Sequence, residues 1–163
     1  MKLDGLDSPF VFALAAAEIA GFSILVPEAI GSNELPDEDA LDGDFRLEFE
    51  VIEGLRLTID HYGGASALFR IAVIVTDAHE SDARALLALK GNHALPDSRR
   101  FSIDPASGLL HLSESVGTEA ITLDGLALRI NSLWRLMVMF LEAGKADPEA
   151  PDSAAGNLQF VRG

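Results

Sequence analysis

Four histidines, at positions 61, 79, 93 and 111, are the side chains of this chain best suited to acid–base or metal chemistry near neutral pH. None lies close enough to another to make a local metal motif. Asp77-Ala78-His79-Glu80 sets a carboxylate beside an imidazole, but metal sites draw on three or four converging donors, and an acidic helix start accounts for the same residues. Asp60-His61 is an acid–base dipeptide whose two members, on a strand, point to opposite faces. Gly64-Ala65-Ser66-Ala67-Leu68 has the first glycine and the serine of a nucleophile elbow, yet it lacks the second glycine and precedes a strand. Glu48 and Glu50 share a strand face, and exposure to water leaves no desolvation to raise a carboxyl pKa. The His-Glu-x-x-His, P-loop and dinucleotide fingerprints are absent. No catalytic residue, metal or cofactor is assigned, and the chain reads as non-enzymatic. A hydrolase built on Asp60 and His61, or on Asp77 and His79, stands as a third reading behind two kinds of binding module.

Composition narrows the partners. Against 12 Lys and Arg stand 26 Asp and Glu, a formal charge of −14. Nucleic-acid binding needs clustered bases to displace counterions, and anionic lipid repels the same sign of charge. Residues 34–53 hold nine acids and one base, which reads as a solvated acidic face. The chain has no cysteine, so disulfides, thiolate zinc sites and thiol nucleophiles are excluded, and a reducing compartment fits. No apolar run approaches the ~18 residues of a membrane span. Phe10 to Ala17 is the nearest thing to a signal peptide, but Asp4 and Asp7 flank it and Glu18 ends it, so a cytoplasmic location is expected.

The 163 residues suit one domain, expected over 1–145, with a Pro-, Ala- and Asp-rich tail over 146–163. Ser8 and Pro9 open a first helix, as cap and first helical residue, and Gly21 closes it. That helix is apolar nearly all round, so something must cover it. The stretch 24–30 is broken by Pro27 and stays unassigned, and 31–44 reads as loop. A period of two follows: Phe45, Leu47, Phe49 and Val51, then Leu55, Leu57 and Ile59 after a Glu53-Gly54 turn. Gly63-Gly64 signals a second hairpin, and the apolar run Ala67–Val75 a central strand completing a meander. A helix starts at Asp77 with Glu80 three residues on and ends at Gly91-Asn92. Arg99–Ile103 and Leu109–Ser113 make two strands around an Asp104–Gly108 turn. The last helix starts at Thr122 or Asp124, repeats Leu126, Ile130, Leu133, Met137, Phe140 and Leu141, and ends near Gly144 and Pro148. Trp134 reads as core, Arg129 and Arg135 as solvated, and the Arg99-Arg100 doublet as a partner for a neighbouring carboxylate. The expectation is an α+β fold, an antiparallel five-stranded sheet flanked by helices in the order α-β-β-β-α-β-β-α.

The order of these motifs resembles the type III secretion chaperones, in the small acidic class that includes the Tir chaperones. Leu41-Asp42-Gly43-Asp44, the Phe45–Phe49 strand, the Glu53-Gly54 turn and Leu55–Ile59 look like that family's opening sheet. Phe101–Leu112, with its Asp-Pro-x-x-Gly turn, is similar to the fourth and fifth strands, and Leu123-Asp124-Gly125-Leu126 to the start of the last helix. The likeness covers residues 41–145. It implies a homodimer in the bacterial cytoplasm that binds the extended N-terminal segment of a secreted effector and keeps it export-competent. It further implies a dimer interface drawing on Leu86, Leu87 and Leu89, and effector contacts at Phe10, Phe12, Leu14, Phe45, Leu47 and Phe49. The stretch before the first strand is longer than the family's, and the tail is additional. The second binding-module reading keeps the fold but drops secretion, as a stand-alone interaction or regulatory domain.

Overall fold

The computed structural model describes residues 8–22, 43–51, 54–76, 82–96 and 98–145. Helix α1 (Pro9–Ile19) is followed by strands β1 (Phe45–Val51), β2 (Leu55–Tyr62) and β3 (Leu68–Val75), helix α2 (Asp82–Gly91), strands β4 (Arg99–Ile103) and β5 (Leu110–Gly117), and helix α3 (Leu123–Lys145). The five strands form one antiparallel sheet in the order β1-β2-β3-β5-β4. This is the α+β order that the alternation of residues predicts. The start expected for α2 at Asp77 and Glu80, the unassigned stretch 24–30 and the tail lie outside the described residues.

Period-two alternation separates two faces. Cross-strand rows on the inner face read Phe45–His61–Phe69–Val116, Leu47–Ile59–Ile71–Glu114–Arg99 and Phe49–Leu57–Val73–Leu112–Phe101. The outer face carries Arg46–Asp60–Arg70–Ser115 and Glu48–Thr58–Ala72–Ser113–Arg100. Helices α1 and α3 lie side by side and pack on the inner face. Phe12, Ala13, Ala16 and Ala17 of α1 and Leu126, Ile130, Leu133 and Met137 of α3 complete the core. Its own sheet and α3 thus cover one side of the all-round apolar α1, while Val11 and Ile19 stay exposed.

Local chemistry sets the helix ends. The Ser8 hydroxyl accepts from the Phe10 amide at 3.2 Å, with Pro9 at the first helical position. Gly21, at φ +89°, ends α1 by a pair of backbone bonds, Gly21 N to Glu18 O and Phe22 N to Ala17 O, both 2.9 Å. That turn sets Phe22 edge-on to Trp134 of α3, with ring centres 5.5 Å apart. Thr122 caps α3 by accepting from the Gly125 amide at 3.1 Å; a Cβ on Gly125 would stand 2.9 Å from the same hydroxyl.

Strand β5 runs four residues beyond the expected Ser113, because Glu114 and Val116 continue its inward alternation. An inward glutamate needs a partner, and two arginines supply it. Arg99 Nε donates to Glu114 Oε2 at 2.8 Å, and Arg129 of α3 contacts the other carboxylate oxygen. The expectation for the arginine doublet holds at Arg99. Arg129 is not merely solvated: it closes over a carboxylate that is 1% exposed, where a charge left unpaired would be costly.

Candidate functional site

The two ends of the sheet differ in what they leave uncovered. At the β4 end, α2 lies against the strand through Ala88, which is fully buried. A helix seated on a small residue keeps its longer side chains away from the contact. Leu86, Leu87 and Leu89 are accordingly 54%, 56% and 38% exposed, and Ile103 at the end of β4 is also exposed. A short 3-10 turn, Asn92–Ala94, follows α2. Its Asn92 amide faces the outer edge of β4, donating to Phe101 O at 2.9 Å and accepting from Phe101 N at 2.6 Å. One side chain thus does for Phe101 what a neighbouring strand would.

At the β1 end the apolar side chains turn inward. Phe12 stacks on Phe69 at 5.9 Å, and Phe10 meets Phe45 edge-on at 5.4 Å. Of the six anticipated effector contacts, Phe12, Leu47 and Phe49 are buried within the subunit, while Phe10, Leu14 and Phe45 are half-buried. Leu47 and Phe49 take the inward positions of β1, on the face that α1 and α3 cover. Among the described residues, the outer edge of β1 has no strand partner.

The titratable groups do not converge. His61 is buried between Phe45 and Phe69, with ring centres 5.1 and 5.2 Å away, and its Nδ1 lies 2.8 Å from the Gly43 carbonyl oxygen. Because that oxygen only accepts, Nδ1 donates to it, and Nε2 is buried with no hydrogen-bond partner among the described residues. Asp60 points the other way, into a two-bond pair with Arg46 (2.5 and 3.2 Å) that holds the guanidinium pKa above its ordinary value. The dipeptide is split across the sheet, as strand geometry requires. His93 is exposed, and His111 is half-buried on the outer face, where desolvation lowers its pKa. Glu48 is exposed and reaches Arg56 at 3.6 Å. Ser66 lines an open depression of about 650 Å³ with Ala65, Leu68, Val116, Ile121 and Arg129, and no histidine joins it. Asp77 and His79 lie outside the described residues. Among the described residues, no cluster of three or more His, Asp or Glu could hold a metal, and no helix is long and apolar enough to cross a membrane.

One chain of a solved HopA1–SchA chaperone–effector complex is similar to this protein, with 17% identity and a TM-score of 0.44, covering 83% of this chain and 89% of that one. No family model matches the chain, and no curated protein does. The functional reading therefore rests on the surfaces themselves. Two features, the buried Glu114 and the Asn92 amide on β4, escape the residue pattern. The signal that could have found Glu114 is its place after Leu110 and Leu112 on the inward phase of β5, beyond the expected end at Ser113. Asn92 carried no signal beyond ending a helix, because its partner is backbone nine residues away.

Proposed function

We propose that this protein is a non-enzymatic homodimeric chaperone of the bacterial cytoplasm that binds the extended N-terminal segment of a secreted effector and keeps it export-competent. The observation that carries the reading is the leucine trio of α2, left uncovered by the subunit that bears it. Burying one such side chain is worth roughly 1.5–3 kcal/mol, and a two-fold axis beside α2 would bury six of them against one another. Residues 1–145 act as the binding domain, with 146–163 as an appended tail.

The client would add along the outer edge of β1, where an extended chain gains main-chain hydrogen bonds. Phe10, Leu14 and Phe45 would offer shallow apolar contacts there, with Phe12, Leu47 and Phe49 as the floor beneath them. The acids of 34–53 favour a basic client segment and speed encounter. A second reading, a same-fold interaction domain with no role in secretion, is favoured by one observation: half of the anticipated client contacts are sealed inside the subunit.

Light scattering on the full chain tests the dimer. The wild type is expected at twice the chain mass, and the Leu86→Asp/Leu87→Asp double variant at the single mass with an unchanged circular dichroism spectrum. A monomeric wild type would sink the reading. Mass spectrometry of polypeptide co-purified from the native host then separates the alternatives: the N-terminal segment of an exported protein supports the chaperone, and a cytoplasmic partner supports the stand-alone domain.

A further inference from the structure

The shoulder of α3 turned toward β4 carries a second uncovered surface, separate from α2. Leu128, Ser132, Arg135 and Met139 recur there at helical spacing, and with Leu136 and Arg99 they line a groove of about 410 Å³. Leu128 and Met139, at 69% and 64%, are the most exposed large apolar side chains among the described residues. No acid lines the groove. Arg99 shares Glu114 with Arg129, and Arg135 makes no ion pair among the described residues. In a chain of net charge −14, this is a local excess of positive charge beside bare hydrocarbon.

We infer that the occupant of this groove is the chain's own C-terminal segment, residues 146–163. Its composition matches in kind and in order. Asp147, Glu149 and Asp152 come first with no base among them, and the apolar cluster Leu158, Phe160, Val161 follows. The groove presents Met139, Arg135 and Leu128 in that order when read back from the end of α3 at Lys145. At 1.5 Å per helical residue, Arg135 lies about 15 Å and Leu128 about 26 Å from that end. A returning chain covers about 3.3 Å per residue, so Glu149 and Asp152 come level with Arg135, and Leu158 to Val161 reach Leu128 with slack for the reversal. Pro148 and Pro151 oppose continuation of the helix and favour that reversal. Tethering supplies a millimolar effective concentration, so each contact can be weak and the groove still filled. Any acidic, apolar-tipped segment of another polypeptide would then have to displace the tail.

A spin-label experiment on the full chain tests this. The chain has no cysteine, so Gly163→Cys provides a single labelling site beyond the apolar cluster. With a nitroxide there, the amide signals of residues 128–139 should be lost while those of β1 and of residues 86–89 persist. Adding Leu158→Ser/Phe160→Ser, or Arg135→Glu, should restore them. Retention of all signals in the first sample would overturn the inference, as would loss that persists after the serine pair. Equal loss in a mixture of isotope-labelled chains and separate spin-labelled chains would also overturn it, by assigning the contact to a second copy.

Discussion

Helices α1 and α2 are both short, both rich in alanine and leucine-sized side chains, and they resolve that composition in opposite ways. α1 puts Phe12 and three alanines against the sheet and α3, and leaves Val11 and Ile19 exposed at its far side. α2 reaches its strand through Ala88 and turns three leucines outward. Apolar content therefore says how much must be covered, and the residue at the contact decides which side is covered.

The sharpest test of that contrast is truncation at each end. Phe49→Ala, in the sealed β1–α1 core, should cost about 3–5 kcal/mol in chemical denaturation. Leu87→Ala should change the stability of the isolated subunit by no more than about 0.5 kcal/mol while weakening self-association. Equal losses at both sites would erase the distinction. Next in size is Glu114→Gln. A fully buried pair broken on one side costs about 3–5 kcal/mol, and the partial exposure of Arg129 reduces the expectation here to about 2–3 kcal/mol by the same measurement.

Much of this arrangement was legible beforehand because it follows from local rules. Apolar and polar residues alternate along β1 and from Leu55 to Asp60 of β2, Ser8-Pro9 opens a helix on capping chemistry, and Asp104 organises its turn by accepting from the Ser107 amide at 3.0 Å and hydroxyl at 2.5 Å. Those bonds hold the Asp104 carboxyl below its ordinary pKa. The anticipated client patch was less legible. Period two identifies Leu47 and Phe49 as one face without saying whether a helix lies over it, and the same ambiguity applied to the leucines of α2 with the opposite outcome. Arg129 was misread because a helix position with polar neighbours carries no mark of a carboxylate on a strand below.

Two smaller effects refine the comparison. Asn92→Ala removes both bonds to Phe101 and should cost about 1–2 kcal/mol, with faster amide exchange at Phe101 and no change at β1. His111 sits where desolvation lowers its pKa, so the unfolded chain takes up protons before the folded one. Stability is thus fully present above the ordinary histidine pKa of about 6.5 and declines as the pH falls through it. His111→Asn should flatten that decline in denaturation midpoints measured from about pH 7.5 to about pH 5.5. An unchanged slope would assign the decline to another group.

The amide of Asn92 has one more consequence. A sheet with two bare margins can grow by stacking on copies of itself, and such growth has no natural end. Here the middle of one margin is occupied by a side chain of the same molecule, which bonds both main-chain groups of Phe101, whereas the outer edge of β1 has no strand partner among the described residues.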